Sequence, residues 1–243
     1  MSSQLYPIFL NLAGTLSVVI GGGRVALRKV QGLAQAGARV RVVAPEFLPD
    51  LHHLEAALET VELRAKEYEP QDLDGAVLVF AATNNPQVNQ AVAAEAKRRG
   101  ILVCVVDQPA AGNFILPAVY RRGRLHFAVS TGGASPALAR LVRQVLTATF
   151  GPEFEQLLEL AAAYRTRAQE TIATEELRLA FLRQLADPEL LEVIRRQGIE
   201  AARQRLEARL QTAAAASRER QRSTGEPEGG SSQTATPGER GGV

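Results

Sequence analysis

A glycine-rich loop near the start of the chain has the residues and spacing of a dinucleotide-phosphate site. Gly21, Gly22 and Gly23 follow the β-branched run 16–20 and open a helix-like segment, giving the pattern G-x-G-x-x-A, which ends at Ala26. The first glycine permits a tight turn, the second lets a pyrophosphate approach the backbone, and the small last residue lets helix pack on strand. The helix N-terminus adds free N–H groups. A ligand-free tight turn is the alternative, and the strand–loop–helix context favours the dinucleotide.

The acid that usually holds the adenosine ribose is missing from the end of the second predicted strand. That strand, 40–43, is followed by Ala44 and Pro45, and the first acid is Glu46. Either Glu46 or backbone groups around Pro45 take this role, or the ribose is held loosely. Arg24 could instead favour the 2′-phosphate of NADP. The loop alone leaves both NAD and NADP open.

Asp107 is the first charged residue after the apolar run 101–106. In an open α/β sheet, ligands bind beyond the carboxyl ends of the strands, where the glycine loop and the run 83–84 are also expected. A carboxylate there, near apolar walls, is placed to exchange protons with a substrate. The alternative is that Asp107 only shapes the Asp-Gln-Pro turn through its side chain. The residues alone slightly favour this second interpretation.

The segment 108–152 contains no Asp or Glu, although the whole chain is nearly neutral. Its basic residues are Arg121, Arg122, Arg124, Arg140, Arg143 and His126. This bias suggests that the segment faces an anion, such as a carboxylate that arginine binds in bidentate fashion. A solvated face or a basic subunit interface would show the same bias. Within it, Ser-Thr-Gly-Gly-Ala-Ser-Pro at 130–136 is a glycine-rich turn leading into a helix N-terminus, a second anion-receptive site. Together the two sites predict a hydride-transfer enzyme with a polycarboxylate substrate.

The first part of the chain alternates strand-like and helix-like runs. Strands are predicted at 16–20, 40–43, 76–82 and 101–106, and helices at 25–36, which Gly37 ends, and 86–99. Such alternation predicts an α/β fold with a Rossmann-type parallel sheet and helices on both faces.

The pattern changes after the last of these strands. A strand is predicted at 125–129, and Ser135-Pro136 opens a helix that should run to about 147. The residues from 153 to about 212 are rich in Leu, Ala, Glu and Arg, with a last helix starting at Asp187-Pro188. From 217 onward large apolar side chains are almost absent, which predicts a disordered tail.

Composition narrows the possible classes of protein. The formal charge of +2 argues against a general nucleic-acid binder. No apolar run reaches the length of a membrane span, and no basic stretch resembles the start of a signal peptide. The single cysteine, Cys104, lies in an apolar run as a small hydrophobe would, and the three histidines form no cluster with metal-ligand spacing. We therefore expect a cytoplasmic protein with no resident metal.

In order and spacing, these motifs resemble the precorrin-2 dehydrogenase/sirohydrochlorin ferrochelatase family, which also forms the N-terminal half of siroheme synthase. The matching segments, from about 5 to 165, are Pro7–Leu12, Val19–Lys29, Ala81–Asn85 with Val88-Asn89, Val105–Pro109, Asn113–Pro117 and Ser130–Arg140. The resemblance implies an intertwined homodimer with a Rossmann domain at 1–113, a small α+β dimerisation domain at 114–148 and a helical domain at 149–216, before the tail 217–243. The chain is too short to include the methyltransferase of siroheme synthase as well.

The resemblance also implies an activity and its residues. NAD accepts hydride from precorrin-2, which becomes sirohydrochlorin on the route to siroheme. Asp107 matches the family's key aspartate in proton transfer and, in bifunctional members, in iron insertion. The predicted cofactor-binding residues are Gly21, Gly22, Gly23, Arg24, Val25, Pro45, Glu46 and Thr83, and the predicted substrate-binding residues are Ser130, Thr131, Gly132, Gly133 and Arg140.

Two departures and two alternatives accompany this interpretation. Thr131 stands where some members have Ser, and Gln108 stands where others carry a second acid. A nucleotide-sensing regulatory module would share the glycine loop but would not need the arginine-rich, acid-free segment. A chelatase or tetrapyrrole carrier would keep the fold and lack dehydrogenation.

Overall fold

The computed structural model of the chain describes residues 5–106 and 108–224. They divide into two compact units: one formed by the residues up to 118 together with 128–142, the other by 119–127 together with the residues from 143 onward. The predicted domain limits at 113, 148 and 216 differ from this division, and they stay a prediction.

The first unit contains a five-stranded parallel sheet in the order β3-β2-β1-β4-β5. Its strands are β1 (Leu16–Ile20), β2 (Arg39–Ala44), β3 (Val61–Ala65), β4 (Ala76–Ala81) and β5 (Leu102–Val105). The chain builds outward from β1 to β3, then crosses back to add β4 and β5 on the other side of β1. This reversal makes the crevice between the carboxyl ends of β1 and β4 the topological switch point, where doubly wound sheets bind ligands.

Helices cover both faces of this sheet. They are α1 (Arg24–Gln35), α2 (Pro49–Ala57) and α3 (Pro86–Arg98), with single 3-10 turns at Pro70–Leu73 and Pro109–Ala111. Ala26, Val30 and Leu33 of α1 are buried against one face of the sheet. Val92 and Ala96 of α3 are buried against the other face. Because β1 and β4 are covered on both sides, their sequences are almost continuously apolar, as the sequence predicted.

A two-stranded sheet and one long helix follow the first five strands. They are β6 (Ala118–Arg122), β7 (Leu125–Val129) and α4 (Pro136–Thr149). The turn between β6 and β7 contains Gly123, whose φ of 50° is left-handed. Ser135 accepts the backbone N–H of Leu138 through Oγ at 3.2 Å, so the predicted helix start at Ser135-Pro136 is confirmed.

The second unit contains α5 (Pro152–Thr171), α6 (Glu175–Gln184), α7 (Pro188–Gln197) and α8 (Ile199–Thr224). The helix that Asp187-Pro188 opens is therefore not the last one. It ends before Gly198, whose φ is 86°, and α8 follows. Helix α8 packs against α5, α6 and α7 around a core that includes Leu160, Phe181, Leu190 and Leu206. No helix of the described residues is long and apolar enough to cross a membrane.

The predicted disordered tail starts too early. Helix α8 continues through residues 217–224, and Ser217 is buried. Its hydroxyl lies 2.9 Å from Thr174 Oγ1 and accepts the Thr174 backbone N–H at 3.0 Å. Composition alone does not predict a helix in this segment, because the helix is held by a tertiary contact with Thr174 at the N-terminal end of α6. Residues 225–243 lie outside the described residues.

Candidate functional site

The glycine loop lies at the topological switch point, and two of its glycines are required by close contacts. Gly21 has a φ of 126°, and a Cβ there would lie 2.4 Å from the carbonyl oxygen of Ala82, just after β4. A Cβ at Gly22 would lie 1.9 Å from the carbonyl oxygen of Glu46, just after β2. The loop is therefore wedged between the ends of the two neighbouring strands, and no larger residue fits at either position.

Gly23 has a different role from the two glycines before it. A Cβ at Gly23 would meet no atom of the described residues within 4 Å, and its φ of –90° is open to any residue. It is the N-cap of α1, and among the described residues no side chain caps this helix. The first turn of α1, all of which is described, contains no acid. An exposed, uncapped helix N-terminus of this kind fits a pyrophosphate, which the free N–H groups and the helix dipole would hold.

The loop after β2 lies directly beside the glycine loop. The backbone N–H of Leu48 donates to the carbonyl of Gly22 at 3.0 Å, while Pro45 and Glu46 are exposed. The structure thus brings together the predicted cofactor residues Gly21–Val25 with Pro45 and Glu46. Beside them is a cavity of about 580 Å³. It is lined by Arg24, Leu27, Arg28, Leu48, Pro49 and Asp50.

Thr83 lies at the same edge of the sheet, but its polar atoms are bonded within its own loop. Its hydroxyl lies 2.8 Å from Asn89 Oδ1, and its backbone N–H donates to the same oxygen at 3.2 Å. Asn89 Nδ2 donates back to the Thr83 carbonyl at 3.0 Å. Asn85 Oδ1 caps α3 by accepting from the backbone N–H groups of Gln87 and Val88. The motif Thr-Asn-Asn therefore shapes the loop and begins α3, and Asn89, quoted above only as part of a family motif, holds Thr83 in place.

Asp107, the predicted catalytic residue, lies outside the described residues. Its neighbours place the chain at the ligand-binding edge of the sheet. The backbone N–H of Val106 donates to the Ala81 carbonyl at 3.0 Å, and that of Gln108 donates to the Val105 carbonyl at 3.3 Å. Asp107 stays a prediction as the catalytic group.

The predicted substrate residues 130–133 form one turn before α4, whereas Arg140 lies on α4 itself. Ser130 Oγ accepts the Gly132 N–H at 3.1 Å, and Thr131 Oγ1 accepts the Ser135 N–H at 3.0 Å. Gly132 and Gly133 have φ values of 63° and 87°, so this turn needs two successive glycines. The hydroxyls of Ser130 and Thr131 therefore hold the turn in shape.

The basic side chains of the acid-free segment differ in their surroundings. Arg121, Arg124 and Arg140 are exposed. Arg122 is half-buried, and its Nε donates to the Tyr120 hydroxyl at 2.6 Å. That hydrogen bond, together with Glu155 and Glu153 nearby, raises the pKa of Arg122. Arg122 is thus bonded to Tyr120 of its own strand, and the hypothesis that the segment faces an anion stays a prediction.

Neither a metal cluster nor a reactive thiol emerges from the described residues. No group of three or more His, Cys, Asp or Glu among them is arranged to hold a metal ion. Burial raises the pKa of Cys104, with Lys29 nearby acting in the opposite direction. Lys29 in turn lies over the Phe80 ring, with Nζ 5.5 Å from its centroid. Cys104 is partly buried, which agrees with its interpretation as a packing residue.

Comparison with known proteins shows which families this chain is similar to. Residues 8–118 match a family described as putative NAD(P)-binding, and residues 122–149 match the central part of sirohaem biosynthesis proteins. The siroheme synthase of Pseudomonas aeruginosa strain LESB58 is 42% identical over 76% of this chain and 40% of its own length. That of Thioalkalivibrio sulfidiphilus is 39% identical over 86% of this chain and 42% of its own length. Over most of its own length the chain is thus similar to siroheme synthases, in an NAD(P)-binding segment followed by a sirohaem-biosynthesis segment.

A solved structure of a precorrin-2 dehydrogenase confirms the fold class. The precorrin-2 dehydrogenase SirC is 26% identical, with a TM-score of 0.72 over 84% of this chain and 100% of SirC. By contrast, the chain spans less than half the length of the siroheme synthases that it matches. The match to an NAD(P)-binding family supports a nicotinamide cofactor and agrees with the bare N-terminus of α1.

Proposed function

We propose that this protein is a dehydrogenase that oxidises precorrin-2 to sirohydrochlorin with NAD, on the route to siroheme. One observation carries the proposal: an uncapped helix N-terminus at the switch point of the sheet, in a chain that covers all of a precorrin-2 dehydrogenase structure. A purely regulatory nucleotide sensor would explain the first part of this observation but not the second.

The glycine loop would hold the cofactor. The N–H groups of Gly23, Arg24 and Val25 point along the start of α1, where a pyrophosphate gains both hydrogen bonds and the favourable helix dipole. The close contact between Gly22 and Glu46 brings the loop after β2 to the side where the adenosine would lie. When bound, NAD supplies the hydride acceptor.

Asp107 is the group that we propose for the proton. Oxidation of precorrin-2 to sirohydrochlorin removes a hydride and a proton, so a base is needed beside the hydride acceptor. Asp107 follows β5 at the ligand-binding edge of the sheet, and a carboxylate in such a place can accept the proton.

The turn 130–135 and Arg140 are proposed as the substrate side of the site. Precorrin-2 carries several carboxylates, which suit arginine and the N-terminus of a helix such as α4. Arg140 is exposed on the first turns of α4, where its guanidinium is available to a carboxylate.

The function is tested with purified protein, precorrin-2 and NAD, by following NADH and sirohydrochlorin absorbance together. We expect both products to appear in equal amounts, and NADP to support a lower rate. If NAD binds but neither product appears, the protein is a sensor or a carrier rather than a dehydrogenase. Adding Fe²⁺ or Co²⁺ afterwards tests metal insertion, the second activity that the family resemblance implies, which would place the protein among lyases as well.

We further propose that the active form is a homodimer, and that α4 lies in its interface. Leu138, Leu141, Val142 and Val145 have the i, i+3, i+4, i+7 spacing of one helix face, yet each is at least 37% exposed. Contiguous apolar surface of this kind marks an association site.

Light scattering at micromolar concentration tests the dimer. The wild type should have the mass of two chains, and Leu141→Glu should shift it towards one. Thr147→Glu, on the opposite side of the same helix, is the matched control and should leave the mass unchanged. A monomeric wild type would contradict the proposal. We place this dimer in the cytoplasm, where the single thiol of Cys104 stays reduced, without a nucleic-acid or membrane partner.

A further inference from the structure

The end of β2 lacks the acid that usually holds the adenosine ribose, but the cavity beside the glycine loop has an acidic residue in its lining. Rossmann proteins that bind NAD usually hold the ribose hydroxyls with an acid at the end of the second strand. Here that strand ends in Ala44, followed by Pro45 and Glu46. Among the residues that line the cavity, the one acid is Asp50, in the first turn of α2.

Glu46 is poorly suited to the ribose role. Its carbonyl oxygen lies against Gly22, which fixes its backbone beside the glycine loop, and its side chain is exposed and does not line the cavity. Asp50 differs from Glu46 in its position relative to the cavity. Asp50 lines the cavity, and its ion-pair contact is a long one, 4.0 Å to His53 Nδ1, with the Asp50 side chain 72% exposed. The Asp50 carboxylate is therefore available to a ligand.

The other charged residues of the cavity are basic, so Asp50 is needed if the cavity is to prefer NAD to NADP. Arg24 and Arg28 lie one helical turn apart on α1 and both line the cavity. Their positive charge adds to that of the helix N-terminus, which disfavours cations and attracts anions. Without an opposing carboxylate, this cavity would suit the 2′-phosphate of NADP better than the neutral hydroxyls of NAD.

We propose that Asp50 holds the adenosine ribose and selects NAD over NADP against the pull of Arg24 and Arg28. A carboxylate accepts hydrogen bonds from both ribose hydroxyls, whereas a 2′-phosphate in the same place meets like charge. This inference rests on the proposed function only in taking the cavity as the adenosine subsite.

Adenosine fragments test the inference without any reaction. AMP and adenosine 2′,5′-bisphosphate differ only in the 2′-phosphate, and both are titrated calorimetrically against wild type, Asp50→Asn and Glu46→Gln. Asp50→Asn should raise the affinity for the bisphosphate relative to AMP by about tenfold at low salt, because a like-charge contact is removed. The gain should shrink as the salt concentration rises. In the double variant Asp50→Asn with Arg28→Gln, the affinity for the bisphosphate relative to AMP should fall again.

A distant surface acid provides the charge-matched control. Glu59→Gln also removes one exposed negative charge. Glu59 lies before the amino end of β3, whereas the glycine loop follows the carboxyl end of β1, at the other end of the parallel strands. It should leave the ratio of the two affinities unchanged. If Asp50→Asn leaves the ratio unchanged, or Glu46→Gln shifts it instead, the inference is overturned.

Full cofactors separate this result from the proposed function. Wild type should bind NAD more tightly than NADP, and Asp50→Asn should narrow or invert that difference. If wild type binds NAD but Asp50→Asn keeps the same preference, the inference alone fails. If wild type binds neither NAD nor NADP, the proposed function fails with it.

Discussion

The helices of the second unit and helix α1 of the first unit begin in opposite electrostatic settings. In the second unit, every helix has an acid in its first turn, which complements the positive end of its dipole. These acids are Glu153 and Glu155 of α5, Glu175 and Glu176 of α6, Glu189 of α7 and Glu200 of α8. In the first unit, α1 begins with an uncapped glycine followed by Arg24. The start of each helix is stabilised where the helices only support one another, and we propose that this stabilisation is given up at α1 because the phosphates of the cofactor bind there.

The largest expected effect concerns chemistry at the open edge of the sheet. Asp107→Asn keeps the size and hydrogen-bonding capacity of the side chain but cannot accept the proton. The rate of NADH formation should fall by about 10²–10⁴-fold. NAD affinity, measured by calorimetry, should barely change, because the glycine loop is untouched. Gln108→Asn, next along the chain, serves as the control. A wild-type rate in Asp107→Asn would remove this residue from the mechanism.

Gly23→Asp should separate binding from stability. The structure has room for the new side chain, and Asp is a good N-cap, so thermal stability should stay the same or rise slightly. NAD affinity should fall by about 10²-fold or more, since a like-charge contact near 4 Å costs about 4 kcal/mol at a protein surface.

Gly23→Asn is the matched control for this change. It also caps α1 but adds no charge, so its loss of NAD affinity should be smaller. Unchanged NAD affinity in a folded Gly23→Asp variant would place the cofactor site elsewhere.

Removing a helix cap from the second unit should lower the stability of the protein and leave its NAD affinity unchanged, the reverse of Gly23→Asp. Asp187 Oδ1 accepts the Glu189 N–H at 2.9 Å, and Oδ2 accepts from Arg209 Nη2 at 2.8 Å. Asp187→Ala should destabilise the protein by about 1 kcal/mol in thermal or denaturant unfolding. Its NAD affinity should equal that of wild type. Asp187→Asn retains the cap and should lose less, and an equal loss in both variants would assign the effect to Arg209 alone.

Two truncations test whether the tertiary contacts of the last turns of α8 stabilise the protein, although the composition of this segment predicts disorder. A chain that stops after residue 224 should retain wild-type stability and NADH production. A chain that stops after residue 216 loses the buried Ser217 and the ion pair from Arg220 to Glu176, and its melting temperature should fall. Equal melting temperatures for the two truncations would show that the last turns of α8 contribute nothing.

The smallest effect is a pH dependence of the second unit. Hydrogen bonds from Arg167, and then from Tyr164, lower the pKa of Glu207 from 4.5 to about 2. Because the folded-state pKa is the lower one, this stabilisation is complete above the ordinary pKa and is lost as the pH falls towards 2. Glu207→Gln should therefore flatten the fall in melting temperature over this acidic range. A variant with the same pH profile as wild type would assign the acid sensitivity to other carboxylates.

The sequence predicts the parts of the molecule whose signals are local. Strands β1 and β4 are evident because they are buried on both faces, and the glycine loop is evident because its turn allows few residues. Strand β3 was missed because Glu62 and Arg64 interrupt its apolar character. Their partners, among them Arg41 on β2, are apparent only in the folded sheet.

The candidate site was partly predictable for the same reason. The residues of the glycine loop follow from a motif, whereas Asp50 depends on how the start of α2 faces α1 in space. Helix α2 itself gave little signal, since Leu51 is its one fully buried residue. The turn 130–135 was predicted as a turn, but the inward bonding of its two hydroxyls required the structure.

The three successive glycines have separate consequences for any saturation library of this loop. Selection for folded protein alone should reject substitutions at Gly21 and Gly22, where backbone oxygens of neighbouring loops leave no room for a side chain. The same selection should accept almost any residue at Gly23, which faces open space. A second selection, for cofactor use, should then purge most of those survivors. Gly23 is thus the position at which an engineer can adjust cofactor affinity without first repairing the fold.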